Sequence, residues 1–89
     1  GGALQAQRIR SIFMHRNGLH TSELSNLLAE LVGEIPENAT LHFLLAHDYK
    51  RRGETEEART SALTALELSP ERAQFRNFVK ELTLDGSLN

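Results

Sequence analysis

Four histidines, the basic run Lys50-Arg51-Arg52 and twelve carboxylates are the groups in this 89-residue chain that have the means to do chemistry. Two histidines ligate one metal from a single helix when they stand at i and i+4. His42 and His47 are five apart and share a face poorly, while His15 and His20 flank a turn at Gly18. Asp48, beside His47, points elsewhere on the helix. No metal site is expected from this pattern. Acid–base catalysis needs two groups converging in a pocket with displaced pKa values. The carboxylates here fall mostly at helix starts and on faces expected to be exposed.

The remaining chemistry is excluded by absence. There is no cysteine, so disulfides, thiolate metal sites and thiol nucleophiles are ruled out. The sequence has no Gly-rich phosphate loop, nucleophile elbow or zinc-protease motif. No catalytic residue and no cofactor are expected, and the chain does not read as an enzyme. Lys50-Arg51-Arg52 is followed closely by Glu54, Glu56 and Glu57 and suits a helix end, where the dipole favours cations. It is too small for nucleic-acid recognition, and the net charge of -2 adds no pull toward a polyanion. No apolar run approaches the ~20 residues of a membrane helix. The compartment stays open, with the cytoplasm favoured. Gly1-Gly2 reads as a tag remnant on a piece of a longer protein.

Apolar spacing predicts five helices: about 4–16, 22–32, 39–52, 56–68 and 71–84. Leu24, Leu27, Leu28 and Leu31 repeat at i, i+3, i+4 and i+7, and Phe75, Phe78, Val79 and Leu82 do much the same. No segment sustains strand alternation. Gly18, Gly33, Gly53 and Gly86 read as helix ends, where the left-handed position suits a residue without Cβ. Thr21, Asn38, Thr55 and Ser69 read as N-caps, with Pro70 at a first helical position. Connections are short, so consecutive helices should be antiparallel neighbours. The expected architecture is all-α.

Pro36 and Pro70 lie 34 positions apart, and Gly18 and Gly53 nearly share that offset. Between the prolines runs Ala46-x2-Tyr49-x3-Gly53-x4-Ala58-x6-Ala65-x4-Pro70, with His42 and Leu45 ahead of it and Ala62 inside it. This pattern resembles the tetratricopeptide repeat, a 34-residue helix–turn–helix unit. Small residues at 46, 58 and 65 let two helices cross closely, and Tyr49 wedges beside them. Residues 39–70 match well. Residues 5–38 form a degenerate copy, with His15 in place of the tyrosine and leucines at the small positions. Residues 71–85 read as a terminal helix, with Arg72, Arg76, Lys80 and Glu81 on its exposed face. Together they make one domain over 3–85, a short right-handed superhelical stack.

The resemblance implies a concave groove lined by the first helix of each repeat. By register it is assigned to Ile9, Arg10, Phe13 and Arg16, then Thr40, Phe43, Leu44, His47, Lys50 and Arg51, then Gln74, Asn77 and Phe78. Such a groove is apolar in the middle and basic at the edges. It would bind a peptide or helix with an apolar anchor and acidic groups. A competing reading makes Phe13, Leu44 and Phe78 core and the basic residues a solvated face. The cationic set by which some family members hold a C-terminal carboxylate is absent, since Ile9, Phe13 and Leu44 occupy its places. The alternative function is self-association as a homodimer or larger oligomer, because two repeats and a cap are few for a solenoid.

Overall fold

The computed structural model describes residues 2–87; Gly1 of the expected tag remnant lies outside them. The described residues form five helices and no strand: α1 (Gly2–Arg16), α2 (Ser22–Glu34), α3 (Ala39–Arg51), α4 (Thr55–Leu68) and α5 (Ala73–Ser87). Each helix packs on the next in the chain, and the stack is elongated, 43 × 27 × 21 Å. The chain is therefore an all-α, repeat-like array. None of the described helices is long and apolar enough to cross a membrane.

Two pairs of stop signals set the array's period. α1 and α3 end in the same motif. Gly18 and Gly53 both adopt positive φ, 70° and 81°, where a Cβ would clash with the backbone. Gly18 N–H then donates to the His15 carbonyl and Leu19 N–H to that of Met14. Gly53 and Glu54 repeat this on Lys50 and Tyr49. These paired bonds satisfy carbonyls that the helix end would otherwise leave free.

α2 and α4 stop differently. Ile35 and Ser69 each precede a proline, which crowds a helical conformation out of its predecessor. Their φ/ψ pairs are -130°/68° and -141°/72°, and each N–H still donates four residues back, to Leu31 and Ala65. Ser69 is thus the end of α4 rather than the N-cap of α5, which starts only at Ala73. Gly33 and Gly86, expected as helix ends, lie inside α2 and α5, because proline, not glycine, ends the even-numbered helix α2 and nothing breaks α5 before Ser87. Thr21 and Asn38 do cap: their side-chain oxygens accept from Leu24 and Leu41 N–H at 3.3 and 3.0 Å. Thr55 is the first residue of α4, and Glu54 before it makes no side-chain cap.

The core runs along the array. α3 buries Leu41, Phe43, Leu44, Leu45 and Ala46 and so is covered on several sides. α4 lies closest to it, because Ala58, Ala62 and Ala65 are fully buried and present only methyl groups. Leu24, Leu27, Leu28 and Leu31 of α2 fill the other side, and Phe75, Phe78 and Leu82 of α5 close the far end. α1 contributes only Met14 and Ser11 to the fully buried set.

Candidate binding groove

α1, α3 and the start of α5 frame a cavity of about 440 Å³. Its apolar surface comes from Ile12, Phe43, Leu44 and Phe75. Its polar surface comes from His15, Arg16, Thr40, Arg72 and Gln74, with no carboxylate among them. Arg72 is held in place from two directions. Its guanidinium lies 4.8 Å from the Phe75 ring centre and donates to Thr40 Oγ1 at 3.0 Å. An arginine stacked on an aromatic face keeps donors free for an incoming anion.

The structure divides the expected groove residues into three groups. Arg16, Thr40, Phe43, Leu44 and Gln74 line the cavity. Ile9 and Phe13 stand one turn apart on α1 and are 60% and 59% exposed, so they form an apolar stripe beside it. Most of the rest make contacts within or between the helices. Phe43 sits 4.7 Å from Phe75 and 5.4 Å from Phe78, and His47 stacks on Phe78 at 4.1 Å. This aromatic seam docks α5 onto α3. Lys50 crosses the seam to Glu81 at 2.6 Å and keeps that carboxyl below its usual range. Arg51 pairs with Asp48, and Arg10 pairs with Glu23 of α2. Gln74 and Asn77 border a shallow depression beside the seam. Leu44 and Phe78 are buried as the competing core reading had it, while Phe13 is not.

No protein-family model and no curated protein matches this chain.

Three features escaped the sequence. Arg72 is exposed, as the terminal-helix reading expects, but its place at the cavity rim is not expected: the proline stop at Ser69-Pro70 delays α5 and brings Arg72 over Thr40. Its spacing of three from Phe75 is the signal that would have found it. Asp48 departs from the expectation that the carboxylates lie mostly at helix starts and on exposed faces. It is 2% exposed, accepts from Ser25 Oγ of α2 at 3.0 Å and from Arg52 Nε at 3.1 Å, and also holds Arg51. It ties α2 to α3.

The third feature is a histidine cluster. His15 lies 5.6 Å from His20 and 5.3 Å from His47, ring centre to ring centre. Burial, then the neighbouring His15 and Lys50, push His47 down to about 4. Burial and then His20 also lower His15. These three rings come from α1, the turn after it and α3, so no local spacing records them. Among the described residues, no group of three His, Cys, Asp or Glu side chains is arranged to hold a metal ion.

Proposed function

We propose that this chain is a protein-interaction module of the tetratricopeptide type, whose α1–α3–α5 groove takes a peptide or helix from another protein. The observation that carries this reading is the cavity of about 440 Å³, with Ile12, Phe43, Leu44 and Phe75 as its apolar lining, Arg16 and Arg72 beside them and no carboxylate. A cavity of this size has room for one or two side chains of a partner. The exposed Ile9–Phe13 stripe extends it into a surface that a partner covers. The preferred partner carries an apolar anchor for the cavity and an Asp or Glu for the arginines.

Selection from a random peptide display library on the immobilised chain tests this. Sequences enriched in acidic residues around an aromatic or leucine anchor are expected. Their affinity should fall at least tenfold with Phe13→Ser/Arg16→Glu, both exposed positions, while the melting temperature stays within a degree or two. Selected sequences without acidic character, or equal affinity for the variant, would overturn the groove.

The same stripe favours a second reading, in which a second copy of the chain covers Ile9 and Phe13. Sedimentation equilibrium separates the two. A mass that doubles with concentration, and reverts with Phe13→Ser, identifies self-association; a constant monomer mass sinks it.

A further inference from the structure

His15, His20 and His47 meet at the point where α1 and its following turn lie against α3. The groups around them are mostly cationic. α3 brings Lys50 and Arg51, and α1 brings Arg16, adjacent to His15 in the cavity lining. From α5, Glu81 is the one carboxylate among the described residues that favours a charged His47, and it is already paired with Lys50. On α3, Asp48 is likewise taken by Arg51 and Arg52, and on α2, Glu23 is taken by Arg10. An imidazolium formed here meets neighbouring like charge and partial exclusion from water.

The element across the cluster is lightly held. α1 buries only Ser11 and Met14 fully, with Leu4 and Ile12 partly covered. By contrast, His47 is clamped between Phe43 at 4.6 Å and Phe78 at 4.1 Å, so α3 and α5 do not yield first. Repulsion within the cluster is relieved most easily by moving α1 and its turn.

We propose that His15 and His47, with His20 beside them, form an acid-released latch: while His15 and His47 are neutral α1 lies on α3, and protonation of these two rings lets α1 swing away. His15 and Ile12 leave the cavity wall with it, so the groove is dismantled. That consequence rests on the groove reading above, whereas the latch itself does not. The direction follows from linkage. A state in which the rings reach water binds protons more readily than the docked state, and is favoured as pH falls below about 6.5. Full recovery of His47 from about 4 to 6.5 would favour the open state roughly thirtyfold at pH 5. Because α5 stays on the other side of that ring, about tenfold is expected.

Native-state amide exchange, read by NMR residue by residue and corrected for intrinsic exchange, tests the latch on the chain alone. Between pH 7.5 and 5.0, protection in residues 4–16 should fall about tenfold while protection in α4 holds. His15→Gln/His47→Gln should abolish the difference. Since His47 is packed on Phe78, the exposed His20→Gln serves as a second variant and should lessen the loss without affecting folding. Parallel loss in α1 and α4, or His20→Gln behaving as wild type, would overturn the latch. A display-selected acidic peptide then addresses the groove separately. Release of α1 together with weakened peptide binding at pH 5.0 supports both readings. Release of α1 with unchanged peptide affinity keeps the latch and removes the groove.

Discussion

In the α3–α4 hairpin, Ala46, Ala58, Ala62 and Ala65 stand where the helices cross, and Leu45 fills the space beside them. Thirty-four residues earlier, in the α1–α2 hairpin, the same places hold Ile12, Leu24, Leu28 and Leu31, and the place of Leu45 holds Ser11. Large and small have changed sides. α3 and α4 close to methyl contact, while leucines on α2 keep α1 at a distance and Ser11, buried without bulk, spends its hydroxyl on the Arg8 carbonyl at 2.8 Å. The two hairpins share their turns and stops but not their packing. Shape fit between helices depends on where volume sits, not on how much apolar residue is present. The well-filled hairpin anchors the array, and the poorly filled one leaves the cavity and the exposed stripe.

The largest expected effect lies on the anchored side. Phe75 is 1% exposed and packs on Phe43 across the α3–α5 seam. Phe75→Ala should lower the unfolding free energy by about 4 kcal/mol in urea denaturation. Met14→Ala, the deepest apolar truncation available on α1, should cost about 2 kcal/mol or less. Equal losses would mean that the two hairpins are equally well packed and would break the comparison.

Asp48→Asn sharpens it at the junction of the two hairpins. The side chain keeps its shape but loses the charge that gathers Arg51 and Arg52. About 2 kcal/mol should be lost, since the arginines return to water while the Ser25 bond is weakened. Ser25→Ala should cost under about 1 kcal/mol. A thermal melt of both variants decides whether the carboxylate or the hydroxyl carries the tie between α2 and α3.

Asp48 also marks where sequence reading ended. Helices, turns and period were legible because each is local: apolar spacing, a glycine with positive φ, a proline stop. The boundary of α5 was missed because Ser-Pro suits both the start of one helix and the stop of another, and the preceding helix decided the matter. The register puts Ile9 and Phe13 on one face of α1, and both are exposed there. Phe43, His47, Lys50 and Phe78 carry the same groove expectation, and the structure also uses them to dock α5, with Phe43 in the cavity wall as well. An aromatic residue at a groove position and one at a helix seam have the same spacing, and only the neighbouring helix distinguishes them. The histidine cluster and Arg72 depend on contacts between elements, for which a single sequence holds no periodic signal.

Acid should act on the same contrast. His47 sits near 4 in the fold against 6.5 in an open chain, so below pH 6.5 the unfolded state takes up the proton first. The stabilisation from a neutral, packed His47 is complete above 6.5 and is lost as pH falls toward 4. After discounting for solvent screening, roughly 2 kcal/mol should disappear over that window. Denaturation midpoints measured from pH 7.5 to 4.5 read it directly. His47→Gln should flatten the slope, whereas His42→Gln should not, because His42 lies outside the cluster against the Pro36 carbonyl.

The smallest change in stability is expected where the surface is most apolar. Ile9 and Phe13 project mostly into water, so Ile9→Ser/Phe13→Ser removes little buried area and should shift stability by less than about 0.5 kcal/mol. It should also raise solubility, since an uncovered apolar pair promotes association. In α3 the register equivalents, Phe43 and His47, are already covered by Phe75 and Phe78 of the next odd-numbered helix. The same pair of positions is thus filled from within the chain at one end of the array and left for an outside group at the other. If the double variant destabilises the fold by 2 kcal/mol or more, the stripe is core in solution, α1 packs as tightly as α3, and the difference between the hairpins disappears. If stability holds and affinity for an acidic, apolar-anchored peptide drops tenfold or more, α1 retains its exposed side chains for recognition rather than for folding.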